Sequence, residues 1–559
     1  MEKIFILGNS DTVRQLGYDF IEIPNLINDY EIHTWLVSLF QNNQIDKLVI
    51  EIGNSPVLSL KIGLHIRLSI DELRDKALIP LLFVSASSLN SIIIESKFYC
   101  HILASKGAYF STFDTIEKIK LELSAIEGIS QNEYRTCFLD IIKVTDDEKT
   151  GRHSLANIWG AHSMDKAANT DALINNHDFQ QNKAKLYFKY VSAFHKLNLF
   201  SVKIVGRLNL GKAKTINAAN KKILLIDDEA EKGWETVLRK IFKTSSLEDF
   251  VVIKEKVKDY DSLSAGSKNR IENTPFDLYL IDLRLNGKEE ENILKTGDFS
   301  GMKILQKIKN DNPGNQVIIF SASNKVWNLK ALLDAGADGY YMKESPEFGF
   351  STEFSEQNYS RFQEDVKSCF KRDFLKKLYG SYQTILQTID SLTTYPNDFK
   401  AELKNQFQLF WDMILHAKTD IQFANSYVTL YLVIELINNF FIKKVDDAKW
   451  VIINTGKLLD WKWDEIQKKY TNTQTDVTGN NPPEWQKFAG LYFQKWQETD
   501  RQLVENIYHL IRLRNKFVHN TKEKDKQTGQ YFYHDVYTRD GVEKLFGEVE
   551  KIIGFLSRV

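Results

Sequence analysis

Lys221-Lys222-Ile223-Leu224-Leu225-Ile226-Asp227-Asp228 and Phe276-Asp277-Leu278-Tyr279-Leu280-Ile281-Asp282 decide the fold of the middle of this chain. Each is a short apolar run that ends in a carboxylate. Gln316-Val317-Ile318-Ile319-Phe320 ends in Ser321-Ala322, and Gly339-Tyr340-Tyr341-Met342 ends in Lys343. Amphipathic helical patterns separate the runs, for example Gly301-Met302-Lys303-Ile304-Leu305-Gln306-Lys307-Ile308-Lys309. Apolar strands alternating with helices predict a parallel sheet covered on both faces. In such sheets the working residues lie just past the carboxyl ends of the strands. Here every strand ends in a polar residue.

That placement has a chemistry. Asp227, Asp228 and Asp282 would repel one another in one cleft unless a hard divalent cation lay among them, and their oxygens suit Mg²⁺. The metal would screen an incoming phosphoryl group, so that a carboxylate oxygen of Asp282 can attack phosphorus. Lys343 would pair with the phosphoryl oxygens, and the Ser321 hydroxyl would donate a hydrogen bond to them. Tyr340 would follow Ser321 inward. The bland alternative scatters these side chains over unrelated loop ends.

On these residues, about 125 positions of the chain resemble the response-regulator receiver family. The resemblance implies a flavodoxin-like fold, with Asp227 and Asp228 as the acidic pair and Asp282 as phosphoacceptor. It implies Ser321, Tyr340 and Lys343 as phosphoryl-contact and switch residues, Mg²⁺ as cofactor and a sensor histidine kinase as partner. Two departures stand out. Glu344 follows the lysine where the family usually has proline. Gly301 lies 19 residues after Asp282 where about eight is usual, so Lys288–Asp298, with glutamates at 289–291, is expected as a surface excursion.

The first 120 residues repeat the layout. Asp46-Lys47-Leu48-Val49-Ile50-Glu51 parallels the segment ending in Asp282, and Phe83-Val84-Ser85-Ala86-Ser87 parallels the one at Ser321. Gly8-Asn9-Ser10 replaces the acidic pair, Glu51 the phosphoacceptor, and Thr112 the lysine. This reads as a pseudo-receiver that takes no phosphate. It is either an interaction surface, with Glu51 mimicking a charged acceptor, or a retained scaffold. Residues 126–220 read as a polar helical linker. Within it, Arg152-His153-Ser154-Leu155-Ala156-Asn157 faintly resembles the histidine helix of sensor kinases.

Past residue 395 the pattern reads as helical throughout, with apolar faces over Phe399–Ala417, Ile421–Phe441 and Trp485–Val518. The predicted class is therefore α/β plus all-α: two flavodoxin-like receiver-type domains and a C-terminal helical bundle. The expected boundaries are 1–125, 126–220, 221–350, 351–395 (a helical connector) and 396–559. Arg514-Asn515, three further residues and His519 close the last long helix. Arg514 and His519, five apart, fall within about 140° on a helix. The motif resembles the HEPN superfamily, which implies a metal-independent endoribonuclease active as a dimer. His519 would move protons, Arg514 would hold the phosphate, and Asn515 would orient the imidazole. Residues 501–526 carry seven Lys/Arg against three acids, a local patch suited to RNA. The alternative is a non-catalytic signalling adaptor whose helical domain dimerises or binds a partner, with Arg514 and His519 only complementing the helix dipole.

Composition narrows the classes further. With Lys+Arg 73 against Asp+Glu 74 in 559 residues, no global charge argues for nucleic acid or membrane. Three distant cysteines, Cys100, Cys137 and Cys369, fit a reducing cytoplasm. No leader or membrane span is expected.

Overall fold

The computed structural model describes residues 2–53, 55–145, 152–195, 212–286, 296–322, 326–345, 350–446, 449–453, 455, 457–459, 461–464, 467, 469–472, 482–518 and 539–558. The chain divides into two compact units, Met1–Gln306 with Val317–Lys367, and Lys307–Gln316 with Ser368–Val559.

The first unit holds two five-stranded parallel sheets of identical order. Strands β1 (Ile4–Gly8), β2 (Asp19–Glu22), β3 (Lys47–Glu51), β4 (Leu81–Ser85) and β5 (Ala108–Thr112) run β2-β1-β3-β4-β5. Strands β6 (Ile223–Ile226), β7 (Phe250–Ile253), β8 (Leu278–Asp282), β9 (Val317–Ser321) and β10 (Gly339–Met342) repeat that order as β7-β6-β8-β9-β10. The order reverses direction at β1/β3 in the first sheet and at β6/β8 in the second, which opens a crevice at the strand ends where ligands bind in such sheets.

Alternation along the strands builds the first core. Phe5, Leu7, Leu48, Ile50, Leu81 and Phe83 join one apolar cluster, while Ile6, Val49, Leu82 and Val84 join another. Successive side chains point to opposite faces, so both faces of the sheet are buried. The second sheet is covered in the same manner. Helix α1 (Trp234–Ile241) turns Trp234, Val237, Leu238 and Ile241 inward at helical spacing.

Residues 126–195 are more than a polar linker. Tyr134, Phe138, Leu139, Ile142, Val144, Leu186 and Ala193 pack into the first domain's core. The Lys189 ammonium reaches His33 Nδ1 at 2.8 Å, His65 Nδ1 at 3.1 Å and Ser69 Oγ at 2.8 Å. An upstream helix, Arg152–Ala168, packs instead against α1 of the second domain.

The second unit corrects the expectation of an all-helical C-terminus. Beside helices Phe374–Ser391, Asn397–Leu415, Asp420–Phe441, Glu484–Gly490, Arg501–Val518 and Arg539–Leu556, antiparallel strands lie between the third and the fourth. Ile442–Asp446, Lys449–Ile452 and Lys457–Leu458 form one ladder, and Trp461–Asp464 pairs with Lys469–Asn472. The signal is a period-two alternation rich in aromatic and β-branched residues, as in Trp461-Lys462-Trp463-Asp464. Phe374, Leu378, Tyr382 and Ile385, on the expected connector, are buried in the same core as Phe407, Phe410 and Phe546. No helix among the described residues is long and apolar enough to cross a membrane.

Candidate functional site

The ends of β6, β8, β9 and β10 bring together all the residues expected of the second domain. Asp227 and Asp228 follow β6, Asp282 ends β8, Ser321 ends β9, and Lys343 follows β10. Ligand oxygens of Asp227, Asp228 and Asp282 lie within 4.8 Å of one another, and no other cluster of this kind occurs among the described residues. The Lys343 ammonium is 2.9 Å from both Asp227 Oδ2 and Asp282 Oδ2. These four side chains are at most 5% exposed.

Burial sets the electrostatics. It pushes the Asp282 carboxyl up to about 6, with Lys343 pulling the other way and Asp227 adding to the rise. Asp228 is pushed up to about 7, first by burial and then by the Asp282 and Asp227 charges. Burial lowers Lys343, but the two facing carboxylates outweigh it and hold the ammonium above its usual range. One lysine thus balances three carboxylates, and Asp228 Oδ1 is buried without a hydrogen-bond partner. An orphaned carboxylate oxygen beside two others fits a hard divalent cation such as Mg²⁺, with water completing the shell.

The neighbouring backbone closes on Asp282. The amide of Arg284 donates to the Asp282 carboxylate and helps hold it charged. Gly301 donates its amide to the Leu283 carbonyl at 3.1 Å, so the excursion after β8, mostly outside the described residues, returns to the site. A Cβ at Gly301 would lie 2.1 Å from the Asp282 carbonyl oxygen, so only glycine fits. The Tyr340 hydroxyl meets the Ser321 side chain, and burial pushes it up to about 12.

Two contributors, Asn157 and Glu344, were given no role by the sequence reading. Asn157, 186 residues before Lys343, accepts from its ammonium at 2.7 Å. The same Oδ1 accepts from Trp234 Nε1 at 3.0 Å, and Asn157 Nδ2 donates to Glu229 at 2.8 Å. Glu344 accepts from Ser355 at 2.6 Å. Burial raises its pKa, while the Ser355, Ser163 and Asn358 side chains lower it. A long sequence separation left Asn157 invisible. The departure from proline at Glu344 was the one available clue. The His153 side chain lies outside the described residues.

In the first domain, the half-buried Glu51 turns one carboxylate oxygen toward the loop that follows β1. Its Oε2 accepts from the Asn9 and Ser10 amides at 2.7 and 3.1 Å, so the carboxylate fills the place of the missing acidic pair.

The C-terminal motif is only partly described. The Arg514 guanidinium stacks over Tyr431 at 4.6 Å and donates to Asn515 Oδ1 at 3.0 Å. His519 lies outside the described residues.

Residues 1–111 match the family model of the inactive receiver domain. No curated protein matches the chain. The five-stranded parallel sheet of these residues agrees with that family, and the match points to a response-regulator-like signalling role.

Proposed function

We propose that residues 221–345 are a phosphoacceptor receiver domain with Asp282 as acceptor. The observation that supports this most directly is the carboxylate trio within 4.8 Å, with Lys343 beside Asp282 and an orphaned oxygen on Asp228. Mg²⁺, held by Asp227, Asp228 and Asp282, supplies charge neutralisation when bound. An Asp282 oxygen attacks the phosphorus of a donor. The new O–P bond forms as the donor's bond to phosphorus breaks, and the leaving group departs with that electron pair. Lys343 then neutralises a phosphoryl oxygen, and Ser321 donates to another. Tyr340, already against Ser321, carries the change to the surface. The donor on this reading is a sensor histidine kinase, and the inactive receiver is a protein-binding scaffold. Incubation with a small acyl phosphate and Mg²⁺ should add one acid-labile phosphate that Asp282→Asn abolishes. Label that persists in the variant would move the acceptor elsewhere.

The C-terminal unit is the effector. Its reading as a homodimeric metal-independent endoribonuclease rests on the Arg514-Asn515…His519 spacing and the local basic patch. A specific observation favours the adaptor alternative: Arg514 is engaged by Tyr431 and Asn515 rather than presented free. Total RNA incubated with phosphorylated and unphosphorylated protein separates the two. Cleavage lost in His519→Ala supports the nuclease, and intact RNA in both states supports the adaptor.

A further inference from the structure

Lys343 has three N–H donors. Two are committed, one to Asp227 Oδ2 at 2.9 Å and one to Asn157 Oδ1 at 2.7 Å. Asp282 Oδ2 lies 2.9 Å from the same nitrogen as an ion pair but accepts no hydrogen bond. Asn157 comes from helix Arg152–Ala168, in the segment between the two sheets. Its neighbours fix its orientation. Trp234 Nε1 donates to the same Oδ1 at 3.0 Å, and Asn157 Nδ2 donates to Glu229 Oε2 at 2.8 Å. The Glu229 amide in turn donates to Asp227 Oδ1 at 2.9 Å. The hydrogen bonds therefore close a ring, from Lys343 through Asn157 and Glu229 to Asp227 and back. The helix that brings Asn157 is seated closely. A Cβ at Gly160 would lie 2.9 Å from the Trp234 ring and 3.3 Å from the Glu344 backbone. Asn157, Asp227 and Lys343 are at most 1% exposed, so water competes little for these bonds.

We propose that Asn157 is a positioning residue for phosphoryl transfer to Asp282, acting through Lys343. The inference rests on the phosphoacceptor reading. An ammonium with two of its N–H directions held has the third held as well. That third donor is left for an oxygen on the Asp282 side. When the O–P bond forms, Asp282 loses its carboxylate charge and the phosphoryl oxygens bring their own. Lys343 then exchanges Asp282 for a phosphoryl oxygen and keeps both Asp227 and Asn157. The ring stays closed throughout, so the cation needs no reorganisation as the reaction proceeds. A neutral carboxamide suits this post. A carboxylate at position 157 would take up the lysine's charge and add a fourth anion to the three already there. The acceptor site thus extends beyond the sheet domain to the helix that precedes it.

The test uses the full chain. Labelling of Asp282 by a small acyl phosphate with Mg²⁺ is timed in wild type, Asn157→Ala, Lys343→Met and the double variant. Removing one hydrogen bond to a charged group should slow labelling about tenfold when Lys343 is present. In the Lys343→Met background, with no ammonium to hold, the same change should cost less than about twofold. A merely structural asparagine would slow both backgrounds alike. Trp234→Phe removes the other hydrogen bond to Asn157 Oδ1 and serves as the packing control. It should label within about twofold of wild type. Where Lys343→Met labels too slowly to time, the comparison of Asn157→Ala with Trp234→Phe decides. Equal rates in wild type and Asn157→Ala, equal slowing in both backgrounds, or equal slowing by Asn157→Ala and Trp234→Phe would overturn the positioning role alone. No Mg²⁺-dependent label on Asp282 in wild type would overturn the phosphoacceptor reading and the positioning role with it.

Discussion

Asp228→Asn should make the second sheet domain more stable and at the same time remove its response to Mg²⁺. Asp228 is 5% exposed and faces two other carboxylates with a single lysine to balance them. Burial and those charges raise it from 3.8 to about 7. A shift of roughly three units corresponds to about 4 kcal/mol, and relaxation around the charge reduces this to about 2–4 kcal/mol. The direction follows from proton counting. The folded pKa lies above the unfolded one, so between about 4 and 7 the native state holds more protons and stability falls as pH rises. Asparagine keeps the shape and carries no charge. At pH 8 without metal the variant should therefore be the more stable by about 2–4 kcal/mol. By pH 5, where native Asp228 is protonated, the gap should narrow to about a third. Mg²⁺ at about a hundredfold excess over its dissociation constant should add about 2.7 kcal/mol to wild type and little to the variant. Native-state amide exchange along Leu278–Asp282 reports the opening free energy of this sheet without requiring the whole chain to unfold in one step. Equal opening energies at pH 8, or a gap that grows toward pH 5, would refute the repulsion argument.

The first domain should respond to acid in the opposite sense. Burial and the Lys189 charge hold His33 at about 3 and His65 at about 4, below the usual 6.5, so its stability should fall as pH drops from about 6.5 toward 4, measured by exchange along Leu48–Glu51. Glu51→Gln should cost that domain about 1–3 kcal/mol by weakening the caps on the Asn9 and Ser10 amides, and chemical denaturation would show the loss. Glu51→Asp should still take no phosphate from an acyl phosphate, because no acidic pair faces it. Gly301→Ala should push the Asp282 carbonyl aside, costing more than about 2 kcal/mol and slowing labelling of Asp282. Wild-type labelling kinetics in that variant would contradict the close packing.

The sequence determined the two sheets and the polar ends of the second. Strand-forming runs are local, and a strand that ends in Asp or Lys delivers that residue to the crevice whatever the rest of the chain does. Asp227, Asp228, Asp282, Ser321 and Lys343 could be read from their positions for that reason. The missing acidic pair at Gly8-Asn9-Ser10 was as legible, since absence of chemistry is also local. Tertiary structure alone decided which way Glu51 turns, because two backbone amides of another loop compete for its carboxylate. The aromatic and β-branched alternation after Phe441 was in the sequence, but its strands have meaning only once paired. Asn157 is the sharpest case. Nothing in Ala156-Asn157-Ile158 announces a partner 186 residues away, and only docking of its helix, made possible by the small Gly160 and Ala161, carries the carboxamide to Lys343.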